Sequence, residues 1–381
     1  MNSHILTNAT IVTPDDHFEG SVIIENGVIT DVVNQKNYRE GFDLKGQWLV
    51  PGIIDIHSDY LEKEIHPRPS ATFPISFAMH FMDSRAAACG ITTLFSAISF
   101  SSDTIKARSF DEAIELTKAI GSTTDNLLIR HFIHARLDPN TDEILNYIED
   151  MKNLRNIKLI VYNDNIPGQR QFPMEKIIDM RSKYLGISKE EAYKILLKNI
   201  EERSKINHRP DIQKAFQNTI NLGSHDDTKI EHVLEAKMFG ATLSEMPTTI
   251  EAARKAKELG MYVCMGAPNY YMGGSHCGNL SSLDAMNENL VDIFCSDYHF
   301  PTMLGSLVKM ISSGVNPSFA VNLMTKNAAD YLNMDRLGSI ETGKTADLIS
   351  FHIHNDYGIV TNLMVDGYLK YSTNYGNSRL S

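Results

Sequence analysis

The sequence predicts an α/β fold: a (β/α)₈ barrel of the TIM type with a small β-sandwich domain formed from both chain termini. Three observations predict it. Eight short apolar segments alternate with longer helical stretches, polar residues follow nearly every one of those segments, and both chain ends are β-rich. In barrel enzymes the C-terminal ends of the strands form the catalytic face, so the polar residues there are the ones to read for chemistry.

At the N-terminus, Ser21-Val22-Ile23-Ile24-Glu25-Asn26-Gly27-Val28-Ile29-Thr30 sets an Asn-Gly pair between two apolar runs, a strong hairpin signal. At the other end Ala346–Phe351 reads as a strand, and Met364-Val365-Asp366-Gly367-Tyr368-Leu369 as a second turn. Residues 1–50 with 338–381 are therefore expected to form one β-sandwich domain, and 51–337 the barrel inserted between them. The alternative is two separate β-appendages.

The eight expected barrel strands are Leu49–Ile56, Ile91–Ile98, Leu127–His134, Ile157–Tyr162, Thr219–Gly223, Ala241–Ser244, Met261–Met265 and Val291–Cys295. Between them, Asp111–Ile120 and Ile250–Leu259 carry apolar residues three and four apart with charge opposite, as amphipathic helices do. Residues 174–217, long and highly charged, separate the fourth and fifth strands. Ser188-Lys189-Glu190-Glu191 within them has the form of a helix N-cap with an acidic first turn. This insertion reads either as a lid or as solvated helices that pad the barrel.

A chain of 381 residues has room for a barrel and more, and 42% hydrophobic with 22% charged residues is an ordinary globular composition. The formal charge of −11 argues against nucleic-acid binding; an anionic substrate would need cations placed locally. No apolar run approaches the roughly 18 residues of a membrane span, and Met1–Leu6 lacks the basic and apolar segments of a signal peptide. Cys89, Cys264, Cys277 and Cys295 show no C-x-x-C spacing, so neither a disulfide frame nor a zinc knuckle is indicated. A cytoplasmic protein is the expectation.

The most informative segment is Ile53-Ile54-Asp55-Ile56-His57-Ser58-Asp59. Residues two apart in a strand share a face, so His57 and Asp59 can grip one cation with an imidazole nitrogen and a carboxylate oxygen. Ser224-His225-Asp226-Asp227 follows the fifth strand, with His225 expected at the barrel mouth and one aspartate capping the next helix. Cys295-Ser296-Asp297-Tyr298-His299 follows the eighth; Asp297 there could bind metal and take a proton from an attacking water. Asp138 and Asp164, after strands three and four, compete as a further ligand, against loop or salt-bridge roles. Lys63, Arg68, Arg136, Arg170, Asn269 and His276 lie in strand-end loops and are candidates to hold an anionic substrate. The closely spaced glycines of 266–279 suit an anion without following the P-loop pattern.

Together, the strand ending His57-Ser58-Asp59, His225, the late Asp297 and Gly343-Lys344-Thr345-Ala346-Asp347-Leu348 resemble the amidohydrolase superfamily. The resemblance implies a metal-containing barrel flanked by a β-sandwich from both chain ends. Pro67-Arg68-Pro69, Gly90-Ile91-Thr92-Thr93, Pro167-Gly168-Gln169-Arg170-Gln171-Phe172, Pro247-Thr248-Thr249, Gly266-Ala267-Pro268-Asn269 and Gly273-Gly274-Ser275-His276 further resemble the diphosphatases of the carbon–phosphorus lyase route of phosphonate metabolism. That implies hydrolysis of a methylphosphonate-bearing ribose 5-triphosphate to the 5-phosphate and diphosphate. It also implies one or two divalent cations, zinc or manganese, and a homodimer.

The chain departs from the wider superfamily in three places. His57-Ser58-Asp59 stands where most members have H-x-H, although the diphosphatase group shares the aspartate. No bridging lysine is apparent after strand four, and strand six ends in Ser244-Glu245 rather than a histidine. Arg136-Leu137-Asp138 stands where the group carries R-x-E, which supports Asp138 as a ligand. Two rival readings follow: hydrolysis of a cyclic amide or amine, which predicts ammonia release, and a metal-free scaffold, which predicts loss of the ligand residues.

Overall fold

The computed structural model describes residues 3–36, 38, 40–68, 71–102, 108–123, 126–164, 174–275 and 278–373. The backbone divides into two compact units, Met1–Ser96 with Thr123–His131 and Ile293–Ser381, and Ala97–Ser122 with Phe132–Asp292. Strands β1 (Ser3–Val12), β2 (His17–Glu25), β3 (Val28–Val33), β4 (Phe42–Asp43) and β5 (Trp48–Pro51) come first. Eight further strands follow: β6 (Ile53–Ser58), β7 (Ile91–Phe100), β8 (Arg130–Leu137), β9 (Ile157–Tyr162), β10 (Asn221–His225), β11 (Ala241–Glu245), β12 (Tyr262–Gly266) and β13 (Ile293–Cys295). β14 (Leu348–His354), β15 (Tyr357–Val365) and β16 (Tyr368–Ser372) close the chain.

The first unit holds a mixed sheet drawn from both chain ends, ordered β16-β15-β14-β5-β1-β2-β3, with β4 also on β1. β5 is the hinge of this arrangement, parallel to β1 and antiparallel to β14. Leu6, Ile11, Val22, Ile24, Leu49, Leu348 and Met364 pack into its core, so the two chain ends bury one apolar cluster between them. The β2–β3 and β15–β16 hairpins turn on Asn26-Gly27 and Asp366-Gly367, with φ of 50° and 80°, and 54° and 76°. Positive φ at both positions matches the right-handed twist of the flanking strands, which is why Asn-Gly and Asp-Gly were legible. The two turns abut: a Cβ on Gly27 would lie 2.5 Å from the Asp366 carbonyl oxygen. The β14–β15 turn uses Asn355-Asp356, with φ of 48° and 67°, and lacks the glycine that signals such turns.

β6 through β13 form a parallel sheet in which the strands follow one another in chain order. Each of the expected segments overlaps a strand, with two instructive corrections. Leu49–Ile56 is not one strand: it breaks at Gly52 into β5, in the terminal sheet, and β6. A Cβ at Gly52 would lie 2.1 Å from Thr92 Oγ1, so only glycine allows the chain to pass that close as it changes sheets. Leu127–His134 begins later, at Arg130, because the buried Asp83 carboxylate accepts the N–H groups of Leu128 (2.8 Å) and Ile129 (3.1 Å). It also meets His131 Nε2 at 3.0 Å, giving that histidine a structural role.

The expected helices appear as Phe110–Ser122 and Ile250–Glu258, the latter capped by Thr249. The 174–217 insertion forms three helices, Met174–Leu185, Lys189–Arg203 and Arg209–Phe216. Ser188 and Glu191 make the reciprocal capping box at the start of the second. Met174–Leu185 buries no residue at all. Among the described residues, no helix is long and apolar enough to cross a membrane. Cys89, Cys264 and Cys295 are free thiols, the last two buried; Cys277 lies outside the described residues.

Candidate metal centre

In the first unit, alternation along β6 puts Asp55 and His57 on one face, and Asp59 follows the strand as the residue from which the next helix starts. His57 is buried, with Nε2 3.5 Å from Asp59 Oδ1. Asp297, immediately past Ser296 at the end of β13, completes the group: one ligand atom from each of His57, Asp59 and Asp297 lies within 4.8 Å of the others. Backbone hydrogen bonds hold the three in place. Asp297 N–H donates to the His57 carbonyl (3.0 Å) and Asp59 N–H to the Asp297 carbonyl (2.7 Å). Asp297 takes φ of +53° to make this turn, a conformation that aspartate tolerates better than most residues. Beneath them, the buried Asp55 carboxylate accepts the Ser296 N–H (2.9 Å) and the His57 N–H (3.4 Å). Burial pushes its pKa up to about 6, against the pull of those hydrogen bonds. One imidazole and two carboxylates are a donor set that fits zinc or manganese.

Helix Tyr60–Ile65 starts directly after Asp59 and carries Lys63 exposed. The Lys63 ammonium lies over the Tyr298 ring, 5.3 Å from its centroid, and Tyr60 stacks on Phe300 at 4.1 Å. Arg68 is exposed, its carbonyl accepting the Ala71 N–H at 3.0 Å.

The second unit gathers its own buried group at strand ends. Glu245, the last residue of β11, has Oε2 3.6 Å from His134 Nε2 and 3.7 Å from His225 Nε2. Asp226 Oδ2 lies 3.0 Å from His225 Nδ1. Asp227 is fully buried and accepts the Ser224 and Ser244 hydroxyls, the latter at 2.8 Å. Neither aspartate caps the next helix, as the sequence suggested. Ile230–Met238 starts from Lys229 with no side-chain cap, because both carboxylates turn back to the strand ends. Sequence reading missed His134 and Glu245. Alternation places His134 on the same face of β8 as Arg136, and Glu245 directly ends a strand, but neither signal names a partner.

The other expected site residues are distributed as follows. Asp138 is ion-paired with Arg203, and Asp164 with Arg209 at 3.2 Å. Burial raises the Asp138 pKa, and Arg203 opposes the rise. Both acids, which competed with salt-bridge roles for a further ligand position, thus pair with arginines of the 174–217 insertion. Neither belongs to a potential metal group among the described residues. Arg136 is buried within β8. Asn269 lies not in a loop but in helix Ala267–Met272, its amide donating to the Leu280 carbonyl (3.0 Å) and accepting the Ser282 N–H (2.9 Å). Arg170 and His276 lie outside the described residues.

Comparison with known proteins bears on the same residues. The sequence pattern of the amidohydrolase family matches residues 204–370. The chain is 32% identical over 373 residues to the alpha-D-ribose 1-methylphosphonate 5-triphosphate diphosphatase of Escherichia coli (strain K12), covering 93% of this chain and 97% of that protein. It is 24% identical over 350 residues to an adenine deaminase of Desulforamulus reducens, covering 87% of this chain but 51% of that protein. Among solved structures, the dihydropyrimidinase of Brevibacillus agri NCHU1002 superposes with a TM-score of 0.65 at 13% identity, covering 97% of this chain and 95% of that one.

Proposed function

The chain belongs to the amidohydrolase family, and from that premise we propose that it is a metal-dependent diphosphatase. Its substrate on this reading is α-D-ribose 1-methylphosphonate 5-triphosphate, hydrolysed to the 5-phosphate and diphosphate. The observation that carries the reading is the gathering of His57, Asp59 and Asp297 on mutually hydrogen-bonded backbones, with a lysine on the adjoining helix. Likeness to the E. coli enzyme over nearly the whole chain supports the choice of substrate.

His57, Asp59 and Asp297 would hold one divalent cation, zinc or manganese, and His225 with His134 and Glu245 is the donor set suited to a second. Such a cation acidifies a water and draws charge from a phosphoryl oxygen. Asp297 takes the proton of the attacking water, and its turn, fixed through the His57 carbonyl, keeps the carboxylate aimed at one place. Lys63 and Arg68, both exposed, meet the phosphates, supplying locally the positive charge that a net charge of −11 does not.

We further propose that the eight parallel strands close into a barrel, a reading favoured by the parallel bridge between Ser58 and Asp297. Residues 1–50 with 338–381 act as its β-sandwich companion, and the protein works on a small phosphorylated sugar as a homodimer.

Purified protein supplied with zinc or manganese should release diphosphate from the ribose triphosphate; release of ammonia from cyclic amides alone would sink the reading. Asp297→Asn keeps a residue that accepts positive φ, so it isolates the chemistry. It should lower kcat by about 10²–10⁴-fold, and His57→Ala should act alike. Full activity in both variants would remove the site assignment.

A further inference from the structure

We propose that Tyr298 is a positioning residue, holding Lys63 ready as the cation that binds the phosphate groups of the substrate. The proposal rests on the diphosphatase reading for its substrate, but the binding element is argued from geometry.

Lys63 is four residues past Asp59, and Tyr298 directly follows Asp297. The two strand ends that carry metal-ligand candidates therefore lead directly into these two side chains, Lys63 on helix Tyr60–Ile65 and Tyr298 just past Asp297. The Asp59-to-Asp297 backbone hydrogen bond and the Tyr60–Phe300 stack, rings 11° from parallel, fix the start of that helix against the segment after Asp297. In that register the Lys63 ammonium sits 5.3 Å above the Tyr298 ring, inside the range of about 6 Å over which a ring face attracts a cation.

An exposed lysine beside acidic residues ordinarily finds a carboxylate. Glu64, the next residue, pairs with Arg85, and Lys63 makes no ion pair among the described residues. A tyrosine face attracts an ammonium without neutralising it. The result is a lysine restrained in direction yet carrying uncompensated charge, which is what an incoming phosphate oxygen requires. A free lysine would lose rotamer freedom each time it bound an anion; the ring removes part of that freedom in advance. The ligand class is a phosphate or diphosphate group, and the expected consequence lies in binding more than in turnover.

Calorimetric titration of the zinc-loaded full-length protein with inorganic diphosphate tests this. Tyr298→Leu should weaken binding about two- to fivefold, Tyr298→Phe should bind as wild type, and Lys63→Gln should weaken binding at least as much as Tyr298→Leu. The double variant should be no weaker than Lys63→Gln, because Tyr298 acts through Lys63. In turnover of the ribose triphosphate, Tyr298→Leu should raise KM by the same factor with kcat changed far less. Unchanged binding in Tyr298→Leu, losses that simply add in the double variant, or a wild type that does not bind diphosphate would each overturn the proposal. A wild type that binds diphosphate but releases none from the triphosphate would overturn the diphosphatase reading instead, while the calorimetric comparison still decides the role of Tyr298.

Discussion

Asp226, Met246 and Asp297 take φ of 57°, 51° and 53°, and each is the first or second residue past a parallel strand. Asp226 N–H donates to the Glu245 carbonyl (2.9 Å), Met246 N–H to the Cys264 carbonyl (2.8 Å) and Asp297 N–H to the His57 carbonyl (3.0 Å). The left-handed turn lets the chain leave the sheet while its amide still bonds across to another strand. Aspartate accepts that conformation at little cost, but methionine does not. Met246→Asn should therefore raise stability by about 0.5–1 kcal/mol, read as a rise of a degree or two in thermal melting. A fall would show that Met246 packing outweighs its backbone strain. At this scale the sequence revealed His57 and Asp59, because the two stand two residues apart where one strand ends and their meeting is local. It did not reveal Glu245 with His134 and His225, because that meeting depends on the registers of three different strands.

Among the elements, the 174–217 insertion is tied down at its C-terminal end. Arg203 pairs with Asp138, Arg209 with Asp164, the Asn140 amide donates to the Ile206 carbonyl (2.7 Å), and His208 N–H donates to the Pro139 carbonyl (2.8 Å). The His208 ring faces Asp142 at 2.8 Å and Asp211 at 2.9 Å, so both nitrogens donate when it is protonated. Burial works to lower its pKa, but the hydrogen bonds to Asp142 and Asp211 outweigh burial, and the value is raised above 6.5. A raised histidine stabilises the folded state fully below its ordinary value and loses that contribution as pH rises through the folded value. Amides of 203–211 should thus lose protection over that window, measured by hydrogen exchange corrected for intrinsic rates, and His208→Gln should flatten the dependence. A pH-independent wild type would refute it. The capping box and the two glycine turns of the terminal sheet were readable beforehand, being local. The switch of sheets at Gly52 was not, because it answers to Thr92, which is distant in sequence.

For the molecule as a whole, the clearest consequence of the fold is that its two ends share a sheet. Arg130, at the start of β8, pairs with Asp347 and Asp366, residues that flank the C-terminal strands. Asp347 is almost fully buried. Burial raises its pKa and Arg130 opposes this, so its charge is tolerable only with the guanidinium present. Arg130→Met should cost about 3–5 kcal/mol by stranding that charge. The loss should shrink as pH falls and Asp347 protonates, and adding Asp347→Asn should recover part of it. Equal melting temperatures for Arg130→Met and wild type would contradict the account.

By itself the sequence determined what is local: the alternation of short strands with helices, the Asn-Gly and Asp-Gly hairpin turns, the Ser188 helix cap and the pair His57 and Asp59. Each of these is decided by neighbours within a few residues, where propensity, side-chain period and positive φ act. Only the tertiary structure decided that Asp297 joins that pair, that Glu245 sits between two histidines, and that Asp138 and Asp164 are taken by Arg203 and Arg209. Those meetings bring together charged groups far apart in the chain. Which carboxylate meets an arginine and which stays with a histidine depends on strand register and on where the insertion is fastened.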